Sequence, residues 1–295
     1  MRKFITNLLI FFVIVACCDY GMGGILGFMR THAGSGSVME MEYTTHTSTD
    51  DVLIFGSSRA MHHYSPQVIT DSLGLSCFNC GRDGMGIFYH YGRWLLASEH
   101  HLPKLIIYDI CEFDFEKDSR LKYLSELKPY YDHPGMAELF HDVDSMEQFK
   151  VKSKLYRNNS KLLQLISGYL KKVDRTNGFV PQEGLISRFG EGKKKEKEVD
   201  LLKCKYIEKF IQSCKANDVK LIFMVSPYYH GKWKPCPKEV TDLFEKYDID
   251  FYNNENAEGF TGNNQYFRDI KHLNATGANA YTQFIISQIK QSLGK

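Results

Sequence analysis

The chain has 295 residues, room for about two domains or for one α/β domain carrying an insertion. Hydrophobic residues at 43% and charged residues at 24% exclude a globally disordered chain. With 37 Lys+Arg against 35 Asp+Glu the net charge is +2, far from the basic excess of a nucleic-acid binder, so no nucleic-acid partner is expected.

At the N-terminus, Arg2 and Lys3 precede an uncharged run from Phe4 to Cys18, and after Asp19 the chain stays uncharged to Met29. As a helix, residues 4–29 would extend about 39 Å, more than the roughly 30 Å hydrocarbon core of a bilayer. This predicts a membrane anchor over residues 1–29, with Asp19 near the outer interface. The basic end stays cytoplasmic and the body lies on the extracytoplasmic, periplasmic face. Ile14-Val15-Ala16-Cys17 resembles a bacterial lipobox, so a lipoprotein attached through Cys17 is the alternative. Residues 30–50 read as a linker, because Gly34-Ser35-Gly36-Ser37 is flexible and Thr44 to Asp51 is polar.

From residue 51 an α/β rhythm begins. Val52 to Phe55 is a short apolar run ending at Gly56, the pattern of a buried parallel strand. Ser65-Pro66 opens a helix that Gly74 closes. Ser76 to Asn79 is a second strand, followed by a Gly-rich loop and a helix from Ile87 to Glu99. Lys104 to Ile110 and Val219 to Val225 are the third and fourth strands, and Ile249 to Tyr252 a weaker fifth. Helices are expected around 199–216 and 237–247, and after Asn274, where Tyr281, Phe284, Ile285 and Ile289 share a face. The fold class is therefore α/β: a flavodoxin-like three-layer sandwich of about five parallel strands, occupying residues 51–295.

More than a hundred residues separate strands three and four, so residues 112–198 read as a mostly helical insertion. Leu155, Leu162, Leu163, Ile166, Tyr169 and Leu170 form its apolar stripe. Lys150 to Arg175 holds eight basic residues and one acidic residue, Asp174. That segment is either a solvated face or a contact for anionic headgroups or glycans. Gly192 to Glu198 reads as a surface loop. Cys77 and Cys80 have no second ligand pair and read as small half-buried strand residues. No metal site and no cofactor are expected; His100 and His101 lack a carboxylate at ligand spacing.

Two segments carry chemistry. Gly56-Ser57-Ser58-Arg59 follows the first strand, on the rim where open parallel sheets bind ligands. Asp269-Ile270-Lys271-His272 precedes the last helix and can reach the same rim. A serine needs a base to take its proton, and the base needs an orienting acid. Ser58, His272 and Asp269 supply those three roles. Tyr228, Tyr229 and His230 follow the fourth strand at the rim and are expected to meet substrate. Arg59 is expected to pair with Asp83 or Asp109, His62 and His63 to sit at the surface or rim, and Asn274 to cap the last helix.

With these motifs the chain resembles the SGNH/GDSL hydrolase superfamily. Gly56-Ser57-Ser58 matches its first block, Asn79 to Gly84 its second (Asn-x-x-x-x-Gly), and Asp269 with His272 its last (Asp-x-x-His). The resemblance implies an oxyanion hole made by the backbone N–H groups of Ser58 and Gly84, and places Asn79 with the substrate. The third block, Gly-x-Asn-Asp, is absent: Tyr108-Asp109-Ile110-Cys111-Glu112 stands there, with no asparagine to complete the oxyanion hole. The Gly-Ser-Ser form is similar to a membrane-anchored envelope branch that handles acyl groups on glycans and teichoic-type polymers. The expected function is a serine esterase or O-acyltransferase whose partner is an O-acylated, O-acetylated polysaccharide of the envelope or an exported one. The rival is a non-catalytic glycan-binding or scaffolding envelope protein on the same fold. A nucleotide or flavin binder is a weaker third, since Ser57-Ser58-Arg59 offers a phosphate few small or hydroxyl residues. No oligomeric state is assigned.

Overall fold

A computed structural model describes residues 1–159, 162–170, 176–188, 190, 197–231 and 234–294. Lys161, Lys171, Lys172, Asp174 and Arg175 of the basic segment, and residues 192–196 of the expected loop, lie outside these described residues. In chain order the elements are α1 (Arg2–Thr31), α2 (Gly36–His46), β1 (Val52–Gly56), α3 (Ser58–His63), α4 (Pro66–Leu73), β2 (Cys77–Asn79), α5 (Ile87–His100) and β3 (Leu105–Asp109). Then follow α6 (Met136–Val143), α7 (Glu147–Lys150), α8 (Lys154–Asn159), α9 (Leu162–Leu170), α10 (Leu201–Ala216), β4 (Lys220–Val225), α11 (Lys238–Lys246), β5 (Asp250–Asn253) and α12 (Ala275–Ser292). The chain packs as two compact units, Thr47–Ser119 with Arg175–Lys295, and Met1–His46 with Arg120–Asp174.

The first of these is the α/β unit. Its sheet has the order β2-β1-β3-β4-β5, all pairs parallel, which is the flavodoxin-like arrangement. β1 and β3 are buried throughout, because helices cover both faces. Alternate residues divide between two cores. Val52, Ile54, Ile107, Ile222 and Met224 pack with Ile69 of α4 and with Tyr281, Ile285 and Ile289 of α12. Phe284, expected on the same face, is 40% exposed. On the opposite face Phe55 and Tyr108 meet Phe210 of α10 edge-on at 5.6 and 5.4 Å, and Phe223 meets Phe244 of α11 at 4.6 Å. Cys77 and Cys80 are buried within this unit rather than half-buried. Gly74 ends α4 in the left-handed conformation, and the Asn274 side chain caps α12 by accepting from Gly277 N at 2.9 Å.

The second unit corrects the expected domain boundaries. Residues 36–46 form a helix instead of a linker, with Met41, Thr44 and Thr45 buried and α2 packed on α9. The insertion divides: residues 120–174 fold with α1 and α2, while the flanks up to 119 and from 175 belong to the α/β unit. On α9 the buried side chain is Leu165, whereas Leu162, Leu163 and Ile166 of the expected stripe are exposed. The side chains of Tyr169 and Leu170 lie outside the described set. α1 is long and apolar enough to cross a membrane.

Candidate active site

The pocket forms where the topology predicts, at the carboxyl ends of β1, β3 and β4. It is a small cleft lined by Ser57, Ser58 and Arg59 after β1, Cys111, Glu112 and Phe113 after β3, Tyr228 after β4, and Lys271 and His272 before α12. At the turn out of β1, Gly56 has φ +135°, and a Cβ there would lie 2.5 Å from the Asp109 carbonyl oxygen. Only glycine lets β1 end this close to β3 and turn directly into Ser57 and Ser58.

Ser58, His272 and Asp269 come together across more than two hundred residues of chain. Ser58 Oγ lies 2.8 Å from His272 Nε2, and His272 Nδ1 lies 3.0 Å from Asp269 Oδ2. A carboxylate can only accept, so the imidazole proton sits on Nδ1 and Nε2 is left to accept the Ser58 hydroxyl proton. Burial alone would raise the Asp269 pKa. His272 and the backbone N–H groups of Lys271 and His272 (2.8 and 3.0 Å) hold it down at about 2. Asp269 is therefore ionised wherever His272 can act as a base.

A buried polar layer lies beneath this rim. Arg59 donates to the Ile110 carbonyl at 2.9 Å and pairs with Asp109 at 3.1 Å, as one of its two expected partners. The other Asp109 oxygen accepts from Tyr64 OH at 2.6 Å and from Ser226 N at 3.1 Å. One carboxylate thus ties the ends of β3 and β4 to α3. After β3, Asp114 accepts from Cys111 N at 2.8 Å and from Tyr108 OH at 2.7 Å, fixing the turn that presents Cys111 to Phe113. Burial pushes the Asp114 pKa up to about 7.

Sequence reasoning missed two contributors. The first is His63, whose expected surface or rim position is corrected: it is fully buried, and His62 is 4% exposed. His63 Nε2 accepts from Leu273 N at 3.0 Å, so its proton is on Nδ1 and is donated to Ser226 Oγ at 2.8 Å. Burial, reinforced by His272, Arg59 and His62 nearby, drives its pKa far below the usual range and keeps it neutral. It braces the residue that follows His272. The signal for it in the sequence was the His62-His63 pair one turn after Ser58. The second is Ser57. It occupies the N-cap position of α3 but makes no cap bond, and its Oγ is buried without a hydrogen-bond partner.

Of the other expected substrate contacts, Tyr228 lines the pocket. Asn79 does not, and this is a correction: it is 1% exposed, and its carboxamide is spent on Ala60 O (2.7 Å), Tyr64 O (2.9 Å) and Gly81 N (2.8 Å). It holds the loop after β2 against α3. Tyr229 donates to Asn264 and packs on Phe267, and His230 lies edge-on to Tyr229; both stand outside the lining. Gly84 is half-buried in the loop after β2, with φ +68°, also outside the lining. Among the described residues no group of three His, Cys, Asp or Glu is placed to hold a metal ion.

No family model and no curated protein matches the chain. Among solved structures, one described as "a putative platelet activating factor from Streptococcus pneumonia" aligns over 97% of this chain and 99% of its own, with 11% identity and a TM-score of 0.41.

Proposed function

We propose that the chain is a membrane-anchored, extracytoplasmic serine esterase or O-acyltransferase of the SGNH type. The observation that carries this reading is the unbroken relay from Ser58 Oγ to His272 Nε2 and from His272 Nδ1 to Asp269, at 2.8 and 3.0 Å. Ser58 Oγ attacks an ester carbonyl while its proton moves to His272 Nε2. Asp269 stabilises the imidazolium that forms. His272 then returns the proton to the departing alkoxide, leaving an acyl-Ser58. Water or a sugar hydroxyl, deprotonated by the same imidazole, removes the acyl group.

The tetrahedral oxyanion needs donors placed in advance. The backbone N–H of Ser58, in the first turn of α3, is one; Gly84 N, the second that the motif implies, lies outside the cleft lining. The partnerless Ser57 hydroxyl is our candidate for the donor that an asparagine would otherwise supply. The enclosed part of the cleft is only about 40 Å³, which suits a short acyl group on a larger carrier that stays outside. This supports an O-acetylated polysaccharide as substrate. The paired charges of Lys271 and Glu112, 3.5 Å apart among the lining residues, supply polar contacts for the carrier.

Acetate release from O-acetylated polysaccharide, and hydrolysis of p-nitrophenyl acetate, test the reading. Turnover by the wild type that Ser58→Ala abolishes is expected. Glycan binding with no turnover, unchanged in Ser58→Ala, would establish the binding-protein alternative.

A further inference from the structure

α1 is not a core helix: Gly23 is its one buried residue among those described, and its apolar side chains from Phe4 to Val15 stand largely exposed. Asp19 breaks that apolar surface. Its carboxylate accepts from the Ser153 hydroxyl and from the backbone N–H groups of Lys154 (3.0 Å) and Leu155 (3.1 Å), so it caps the start of α8. One turn further, Asn158 Nδ2 donates to Gly23 O at 3.4 Å. A Cβ on Gly23 would lie 2.5 Å from the Lys154 carbonyl carbon, so glycine permits the close approach. The Lys154 ammonium rests 4.6 Å from the Tyr20 ring centroid.

These contacts fix the level at which residues 146–159 meet α1. From Lys3 to Asp19 the helix rises about 24 Å, against a hydrocarbon core of about 30 Å. With Arg2 and Lys3 at one boundary, Asp19 stands close to the opposite one. The segment that leads into the Asp19 cap carries Met146 and Phe149, each 56% exposed, with Lys150 and Lys152 beside them. The Lys152 ammonium lies 5.6 Å from the Phe149 ring centroid. Apolar tips flanked by lysines are the composition of a segment lying in the headgroup region, where lysine stems lie along the acyl boundary and their charges meet phosphates.

We propose that residues 146–154 form an interfacial element that seats the second unit on the lipid bilayer at the Asp19 end of α1. Phe149 and Met146 enter the acyl boundary and Lys152 faces the phosphates, while the Lys150 ammonium is held at 2.8 Å by the buried Glu147 carboxylate. The proposal rests on α1 being a membrane anchor. Its occupant is the bilayer because the element is locked by Asp19 and Gly23 to a helix whose exposed surface already requires lipid.

Full-length protein carrying Phe149→Trp, in nanodiscs of phosphatidylcholine and phosphatidylglycerol, provides the test. Lipids brominated near the top of the acyl chain should quench the emission that Phe149→Trp adds to that of Trp94 and Trp233. Adding Gly23→Leu, which drives a side chain into the α8 backbone, should abolish that quenching while the protein stays in the disc. Disc-embedded Phe149→Trp whose added emission is unquenched overturns the proposal and leaves the anchor reading intact. Failure of the wild type to enter discs overturns both. Quenching that survives Gly23→Leu overturns the docking through Asp19 and Gly23.

Discussion

Three histidines cluster at α3, with the His62 and His63 rings of its last turn 5.7 and 6.2 Å from the His272 ring, and each has a different hydrogen-bond role. His272 holds a proton on Nδ1 for Asp269 and presents a lone pair to Ser58; His63 is neutral and braces Leu273; His62 contacts the Val180 carbonyl at 2.6 Å and Asp83 at 3.2 Å. Only the first was assigned a catalytic role from sequence, because motif spacing reveals a relay and not the side chains that brace it. Ser57→Ala should lower turnover about a hundredfold with KM little changed, the scale of one lost oxyanion donor. Unchanged turnover would leave Ser57 with no part in catalysis. Asp269 adds a pH signature. Its folded pKa of about 2 lies below its ordinary 3.8, so its stabilisation is fully present above pH 3.8 and is lost as pH falls towards 2. The Tm gap between wild type and Asp269→Asn should be widest above about pH 4 and close towards pH 2. A gap that stays constant across that range would contradict the assigned hydrogen bonds.

At the scale of elements, the legible parts were those whose burial is dictated by local pattern. β1, β3 and β4 are short apolar runs covered on both faces, and the structure places each within a residue or two of its expected bounds. α2 was hidden, since a Gly-Ser start and two threonines resemble a linker, and its helicity comes from packing on α9 rather than from propensity. The turn after β3 was also opaque: without the expected asparagine nothing in the sequence showed that Cys111 to Phe113 would line the pocket under the hold of Asp114. His63 joins α3 to the start of α12 through Leu273 N. His63→Ala leaves that buried N–H unpaired, at a cost of about 1–3 kcal/mol, and should lower kcat with KM nearly unchanged. Gln at position 63, which keeps an acceptor, should recover part of the loss. Equal kcat in all three proteins would remove the positioning role.

Across the whole molecule, the two units carry different features. Every lining residue of the Ser58 cleft comes from the α/β unit, and the membrane-capable helix belongs to the other. Gly23→Leu, which disturbs only the second unit, should therefore leave the reactivity of Ser58 unchanged. The relay itself is tested most directly by treating full-length protein in detergent or membranes with a fluorophosphonate probe, beside Ser58→Ala and His272→Ala. A single adduct on Ser58 that both substitutions abolish is the predicted result. A folded wild type that takes no label, or one that still labels after His272→Ala at the wild-type rate, would contradict an activated Ser58 nucleophile.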